Sequence, residues 1–363
     1  MFNLNYTSIK LFQDFFSISP YTSSSANGRV NLIGDHTDYN YGLVMPSPLS
    51  LKLDISILPT DNGKIRGISN HFGSKERLLN EELDKSWLDF IKGGLEVFYK
   101  QYYDFDGIFK KGINVAVNSS IPPGAGISSS AAISVAILKA ISYAERKEIG
   151  NNEIAVLAQK IEHDFIGTKC GLMDQMVATN GIYNNAMFYN LKTNKIKNIK
   201  LFKNHNFLVI HSGIKRKLSE GNYNKRLNDC TEASRKMGVL RLSDAKLSMT
   251  SKLKGKLKKR ALHVLSENLR VKGCYNFLKN NNSNAFGKMM FDSHESLSKN
   301  YEVSSPELDN LILFSKEIGA EGARLTGAGF GGCIVVLVDK KYSEEFLIRL
   351  KRKFKDIWLV DKI

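Results

Sequence analysis

Long apolar runs are missing from this 363-residue chain. A membrane-crossing helix needs about 18 or more consecutive apolar residues, and the longest candidate, Ala131 to Ala144, is interrupted by Lys139. A membrane-spanning protein is therefore excluded, and a membrane is not an expected partner. At the start of the chain Gln13 and Asp14 stand where a signal peptide would be apolar, and no small-residue cleavage site follows; the expectation is a cytoplasmic protein. Cysteine is scarce: Cys170, Cys230, Cys274 and Cys333 lie far apart with no C-x-x-C pair, which argues against both a zinc site and a disulfide framework. Repeats and low-complexity tracts are absent, and the average composition sets aside a disordered or fibrous chain.

Acidic residues are also in short supply. Lys and Arg number 52 against 36 Asp and Glu, a net charge of +16, which raises the possibility of an anionic partner. The excess is densest at Lys252, Lys254, Lys256, Lys258, Lys259 and Arg260, with Leu253 and Leu257 interleaved at helical spacing. That pattern reads as a helix with one buried edge and a solvated lysine face. No zinc-finger spacing, aromatic RNP pattern or basic region leading into heptads accompanies it, so nucleic acid is not expected as a partner.

What is present is ordinary globular material, 42% hydrophobic and 24% charged. The length suggests two domains. Alternating apolar residues predict strands at 51–57 and 113–117, and buried runs predict strands at 207–210 and 333–338. Helical spacing marks 130–147, 153–165 and 262–269. The mixture predicts an α+β fold rather than regular βαβ alternation. The Asn- and Lys-rich stretch 190–203 is the expected boundary, giving an N-terminal domain over 1–195 and a C-terminal domain over 196–363.

Four segments carry polar chemistry. In Ile121-Pro-Pro-Gly-Ala-Gly-Ile-Ser-Ser-Ser-Ala-Ala132 small residues let backbone N–H groups approach an oxyanion, hydroxyls add donors, and a helix N-terminus follows. The loop lacks the Gly-Lys-Ser/Thr ending of the Walker motif, and a plain serine cap after a turn is its simpler reading. In Gly28-Arg-Val-Asn-Leu-Ile-Gly-Asp-His-Thr-Asp-Tyr-Asn40 a short strand runs into Asp35, His36, Thr37 and Asp38. Such a turn suits hydroxyl recognition, and Asp35, His36 and Asp38 are alternatively metal ligands or simply turn residues. Between Glu162-His-Asp164 and Cys170-Gly-Leu-Met-Asp-Gln175, Glu162 and Ser130 suit magnesium, Asp174 suits a hydroxyl to be activated, and Arg29 suits developing negative charge; each acid alone also reads as a surface or capping group. Residues 327–332 spell G-x-G-x-x-G ahead of a strand rather than after one, the wrong context for a dinucleotide fingerprint, which leaves a loop of close backbone approach.

In order, these motifs resemble the GHMP sugar and small-molecule kinases, and the segment at 28–40 resembles the branch of that family whose acceptor is galactose. A Ser-Glu-Gly-Asn-Tyr-Asn segment at 219–224 and Thr326 to Cys333 complete the series, so the likeness spans most of the chain. It implies a two-domain α+β fold with the active site in an interdomain cleft, and transfer of phosphate from ATP, with Mg2+, to the anomeric hydroxyl of galactose. A related kinase for galacturonate, arabinose or N-acetylgalactosamine, and a catalytically silent galactose sensor, are the other readings. The resemblance further implies that Arg29 and Asp174 form the catalytic pair, and that Asp35, His36, Thr37, Asp38, Gly171, Asp174 and Tyr223 contact the sugar. By the same likeness Gly124, Ala125, Gly126, Ile127, Ser128, Ser129 and Ser130 hold the nucleotide phosphates, Ser130 and Glu162 hold magnesium, and Trp87 and Ser69 touch the nucleotide. Unaided, Trp87 reads as core. A monomer acting on small molecules is expected. Three positions depart from the family pattern: Asn27 for Pro, Ala328 for Gly, and Asp35 for Glu. The last is one methylene shorter, which puts a hydroxyl contact out of direct reach or behind a water and bears on sugar identity.

Overall fold

A computed structural model describes residues 7–104, 106–214 and 220–363. The chain forms two compact units that interleave along the sequence: residues 1–28, 51–123 and 128–180 cluster together, and residues 29–50, 124–127 and 181–363 form the other.

In the first unit, α1 (Ser8–Phe16) precedes β1 (Thr22–Ile33) and β2 (Leu43–Pro59), two long strands that continue into the second unit. β3 (Lys64–Ser69), β4 (Gly73–Leu78), α2 (Leu88–Tyr102) and β5 (Ile113–Ser119) follow, then α3 (Ser129–Ala144), α4 (Asn151–Ile161) and α5 (Met173–Asn180). The strand order is β4-β3-β5-β2, with β3 parallel to β5 and the other pairs antiparallel. In β5 Ile113, Val115 and Val117 are buried as the alternation predicts, and Ala116 on the other face is buried as well. Helix α3 is apolar nearly all round, with Ala131 to Leu138 and Ala140 to Ser142 all buried. Such a helix cannot face water and sits at the centre of its unit. After α4 the chain makes one π-helical turn, Glu162–Ile166.

The second unit adds β6 (Asn185–Asn190), β7 (Lys195–Lys200), β8 (His205–His211), α6 (Glu220–Met237), α7 (Gly255–Lys279), α8 (Ser283–Ser296), α9 (Pro306–Glu317), β9 (Gly322–Leu325), β10 (Cys333–Asp339), α10 (Ser343–Lys353) and β11 (Trp358–Lys362). Its antiparallel sheet runs β11-β8-β10-β9. Leu208, Ile210, Ile334, Val336 and Leu325 from this sheet join Leu257, Ala261 and Val264 of α7 in one apolar core. Ser305 caps α9 ahead of Pro306, the residue suited to a first helical position. Helix α10 carries Glu344 and Glu345 in its first turn and Lys351, Arg352 and Lys353 in its last, matching the helix dipole.

The strands and helices expected from periodicity are present, most of them longer than their apolar signal, but the helix expected over 130–147 ends at Ala144 and the one over 153–165 passes into the π-helical turn at Glu162. Residues 190–203 are chiefly hairpin: β7 pairs with β6 from Asn190↔Lys195 to Asn185↔Lys200, and a cut at 195/196 falls at the first residue of β7. Leu253 and Leu257 are buried and the lysines from 252 to 259 are exposed, as expected, but the stretch is not one helix: Lys252 ends a 3-10 turn, Leu253 and Lys254 are extended, and α7 starts at Gly255. Arg260 is the exception among the basic residues, buried and paired with Asp229 and Glu302. Residues 327–332 connect antiparallel β9 and β10, and Ala328 is absent from the positive-φ residues that include Gly327, Gly329 and Gly331. Alanine in place of glycine there meets no backbone penalty. Ser219 lies outside the described residues.

Candidate active site

In the first unit the phosphate-type loop ends on Ser128, which has φ 68° and leads into α3 at Ser129 and Ser130. The Ser128 hydroxyl donates to Asp174 Oδ2 at 2.5 Å. Asp174 lies in the first turn of α5, so two motifs 46 residues apart meet through this bond. Glu162 opens the π-helical turn, is buried, and accepts from Gln175 Nε2 at 2.6 Å. Between them, the Cys170 carbonyl accepts from Gln159 Nε2 at 3.0 Å and shares a contact of 2.9 Å with His163 Nε2, which fixes the backbone at Gly171.

Trp87 stands just before α2, half-buried, and its indole lies against Gly67 of β3: a Cβ at 67 would come within 2.4 Å of the ring. Only glycine gives the indole that seat. The loop that presents Trp87 is held by a buried ion pair between Arg77 and Asp89, and Arg77 also donates to the carbonyls of Glu81 and Glu82. Ser69, buried at the end of β3, accepts from the His71 N–H at 3.3 Å.

In the second unit Arg29, 5% exposed, donates from Nη1 to the Gly126 carbonyl at 2.7 Å, and its N–H donates to the Ile127 carbonyl at 3.1 Å. The motif then turns at Gly34, φ 102°, where a Cβ would press on Leu43 and Val44 backbone at 2.8 Å. His36 also has positive φ, 64°. Its Nδ1 shares a hydrogen bond with the Tyr39 hydroxyl at 2.9 Å, and Tyr39 shares one with Tyr301 at 2.6 Å. Tyr223 of α6 packs beside both, its ring centroid 6.0 Å from His36 and 5.2 Å from Tyr39. Asp38 opens a short 3-10 turn and is buried. The Thr37 hydroxyl lies within hydrogen-bond reach of the Gly34 and Leu43 carbonyls, 2.8 and 2.7 Å, and closes the turn on itself. Asp35 is 2% exposed and its carboxylate contacts Asn31, Arg324 and the Gly327 N–H.

Helix α7 grips this turn at three points that the motif reading does not contain. Glu267 Oε1 accepts the Gly34 N–H at 2.9 Å, Asn268 Oδ1 accepts the Leu43 N–H at 2.8 Å, and His263 Nε2 donates to the Asp35 carbonyl at 3.1 Å. Residues 263 and 267 are four apart and share one helix face. Polar and apolar residues alternate through 260–271 as in any half-buried helix, so no local signal marks these three. Burial opposes charge on Glu267, but Arg270, at 2.6 Å, leads the attractions that hold its carboxyl down at about 2.

His263 is fully buried, and burial lowers it to about 4. Its Nδ1 accepts from Ser296 at 2.9 Å while Nε2–H donates, so the neutral tautomer satisfies both nitrogens. Between pH 6.5 and 4 the unfolded chain binds a proton at this residue that the folded chain does not. Stability therefore falls as pH drops through that window, by on the order of 3 kcal/mol from this group. Urea unfolding at pH 6.5 and 4.5 should show the loss, and His263→Gln should flatten the slope; an equal slope in the variant would contradict the assignment.

Among the described residues no group of three or more His, Cys, Asp or Glu side chains is arranged to hold a metal ion, and no helix is long and apolar enough to cross a membrane.

Comparison with known proteins bears on this site. The GHMP kinases N terminal domain matches residues 89–181, the GHMP kinases C terminal domain residues 275–356, and the galactokinase galactose-binding signature residues 10–57. A galactokinase of Pyrococcus furiosus is 36% identical over 319 residues, 86% of this chain and 88% of the relative. One from Thermotoga neapolitana is 34% identical over 338 residues, 93% of this chain and 95% of the relative. The crystal structure of Lactococcus lactis galactokinase complexed with galactose superposes with a TM-score of 0.89 at 26% identity, covering 97% of this chain and 96% of that one. The chain belongs to the GHMP kinase family, whose members are ATP-dependent kinases. Within that family it stands with the galactokinases, and it is a sugar kinase.

Proposed function

We propose that this enzyme moves the γ-phosphoryl group of ATP to the anomeric hydroxyl of α-D-galactose, giving galactose 1-phosphate and ADP. The observation that carries the reading is the Ser128–Asp174 hydrogen bond at 2.5 Å: the residue ending the phosphate loop orients the acid suited to the acceptor hydroxyl. Little covalent chemistry falls to the protein in phosphoryl transfer, so positioning and charge stabilisation dominate. Asp174 accepts the hydroxyl proton as the bond to phosphorus forms, and Ser128 holds its second oxygen. Arg29 offers its guanidinium to the charge that develops, while its bond to the Gly126 carbonyl keeps it beside the loop. Amides of residues 124–130 take the phosphate oxygens, and Trp87 and Ser69 take the nucleoside.

His36, Asp38, Gly171 and Tyr223 fix the sugar through its hydroxyls; Thr37 shapes the turn that presents them. Mg2+ fits an oxygen-only pair of Ser130 hydroxyl and Glu162 carboxylate, with waters completing its shell. When bound it neutralises phosphate charge; Glu162 is set for that role by the Gln175 bond that orients its carboxylate. The enzyme works as a monomer in the cytoplasm, where ATP is plentiful. The test is ADP release by purified protein with galactose, its C4 and C6 variants, galacturonate, arabinose and N-acetylgalactosamine. Galactose should give the highest kcat/KM. A higher value for another sugar would reassign the acceptor, and no sugar-dependent release would make the chain a silent binder.

A further inference from the structure

We infer that Asp35 is a positioning residue: its carboxylate locks the sugar-binding turn to the glycine loop at 327–332 and does not itself contact the sugar. The inference rests on the galactose reading above and departs from the contact that the family resemblance implies for this position. Asp35 is 2% exposed and its carboxylate is turned onto three protein donors. Oδ2 accepts from Arg324 Nη2 at 2.5 Å; Oδ1 accepts from Asn31 Nδ2 at 2.9 Å and from the Gly327 N–H at 3.2 Å. Of the roughly four lone-pair sites a carboxylate offers, three are committed.

The partners are themselves tied down. Arg324, fully buried at the centre of β9, donates from Nη1 to the Asn31 carbonyl at 3.1 Å, and the Thr326 hydroxyl donates to that same carbonyl at 3.0 Å while accepting the Asn31 N–H at 3.1 Å. The end of β1 and the end of β9 are thus joined across nearly 300 residues of sequence, with Asp35 as the carboxylate hydrogen-bonded to Arg324. A buried guanidinium needs such a partner. From the backbone fixed in this way His36 projects at φ 64° towards Tyr39, Tyr301 and Tyr223. The side chain one methylene shorter than the family's glutamate is the one that fits this joint.

Asp35→Glu separates the two roles, because it restores the family residue while overfilling the joint. If Asp35 is a lock, the variant should raise KM for galactose roughly ten-fold or more by misplacing His36 and Asp38, with KM for ATP within about two-fold. Each monodeoxygalactose should lose kcat/KM by the same factor, since no single hydroxyl loses its partner. An unchanged or lower KM for galactose, or a loss confined to one deoxy sugar, would mark Asp35 as a direct contact and overturn the inference. Should Asp35→Glu fail to fold, Asn31→Ala, which removes one of the three donors, carries the same comparison. Wild-type protein that does not phosphorylate galactose would defeat the acceptor assignment alone; the lock is then judged by thermal unfolding, where Asp35→Glu must lower Tm by several degrees, and an unchanged Tm sinks it.

Discussion

Asp174→Asn should lower kcat for galactose by at least three orders of magnitude, the upper range for losing a positioned proton acceptor, while leaving ATP affinity nearly unchanged. The amide is nearly isosteric and can still accept from Ser128, so the geometry that Ser128 sets at 2.5 Å persists while the basicity is gone. Whether the proton leaves early or late in phosphoryl transfer, a group that holds the hydroxyl in line and carries negative charge is required. Nucleotide affinity, read by titration of a fluorescent ATP analogue, separates this from unfolding. A variant retaining a tenth of wild-type turnover would remove Asp174 from the role.

The second large effect is on stability. Glu267→Ala should cost about 3–5 kcal/mol, the range for breaking a buried ion pair by removing one partner. Glu267 is fully buried and serves three donors: Arg270 at 2.6 Å, the Ser293 hydroxyl at 2.7 Å and the Gly34 N–H at 2.9 Å. Alanine leaves the Gly34 amide without this acceptor and Arg270 without its carboxylate partner. Glu267→Gln, which keeps an acceptor for Gly34, should recover part of the loss and lower KM for galactose relative to the alanine variant. Denaturant unfolding checks the first expectation and steady-state kinetics the second; a cost below about 1 kcal/mol for alanine would mean the pair does not pin the turn.

The contrast between Asp174 and Glu267 marks what was legible in the sequence. Asp174 sits in a contiguous motif, where residue type and spacing speak together, and the loop at 121–132 and the turn at 28–40 are likewise compact in sequence. Glu267 acts on Gly34 from 233 positions away. Nothing local distinguishes it from a solvated glutamate on a helix, and the same holds for His263, Asn268 and Arg324. Asp35 reads as a sugar contact because its neighbours are polar, and only the fold reveals that Arg324 and Gly327 converge on it. The strand Ile113–Ser119 is legible because Ile113, Val115 and Val117 recur with a period of two on one face, although Ala116 on the other face is buried too. The interleaved units were not, since β1 and β2 pass from one to the other inside continuous strands with no break in composition. The net charge of +16 likewise carries little of the function: the proposed phosphate contacts are amides and hydroxyls of one loop.

The most direct measurement of the central claim is a single turnover of enzyme-bound ATP with galactose, the product followed by phosphorus and proton NMR. A phosphate coupled to the anomeric proton of the α-sugar, formed by wild-type protein and absent with Asp174→Asn, is the predicted result. A phosphate on any other carbon, or the same product at the same rate from the variant, would contradict it.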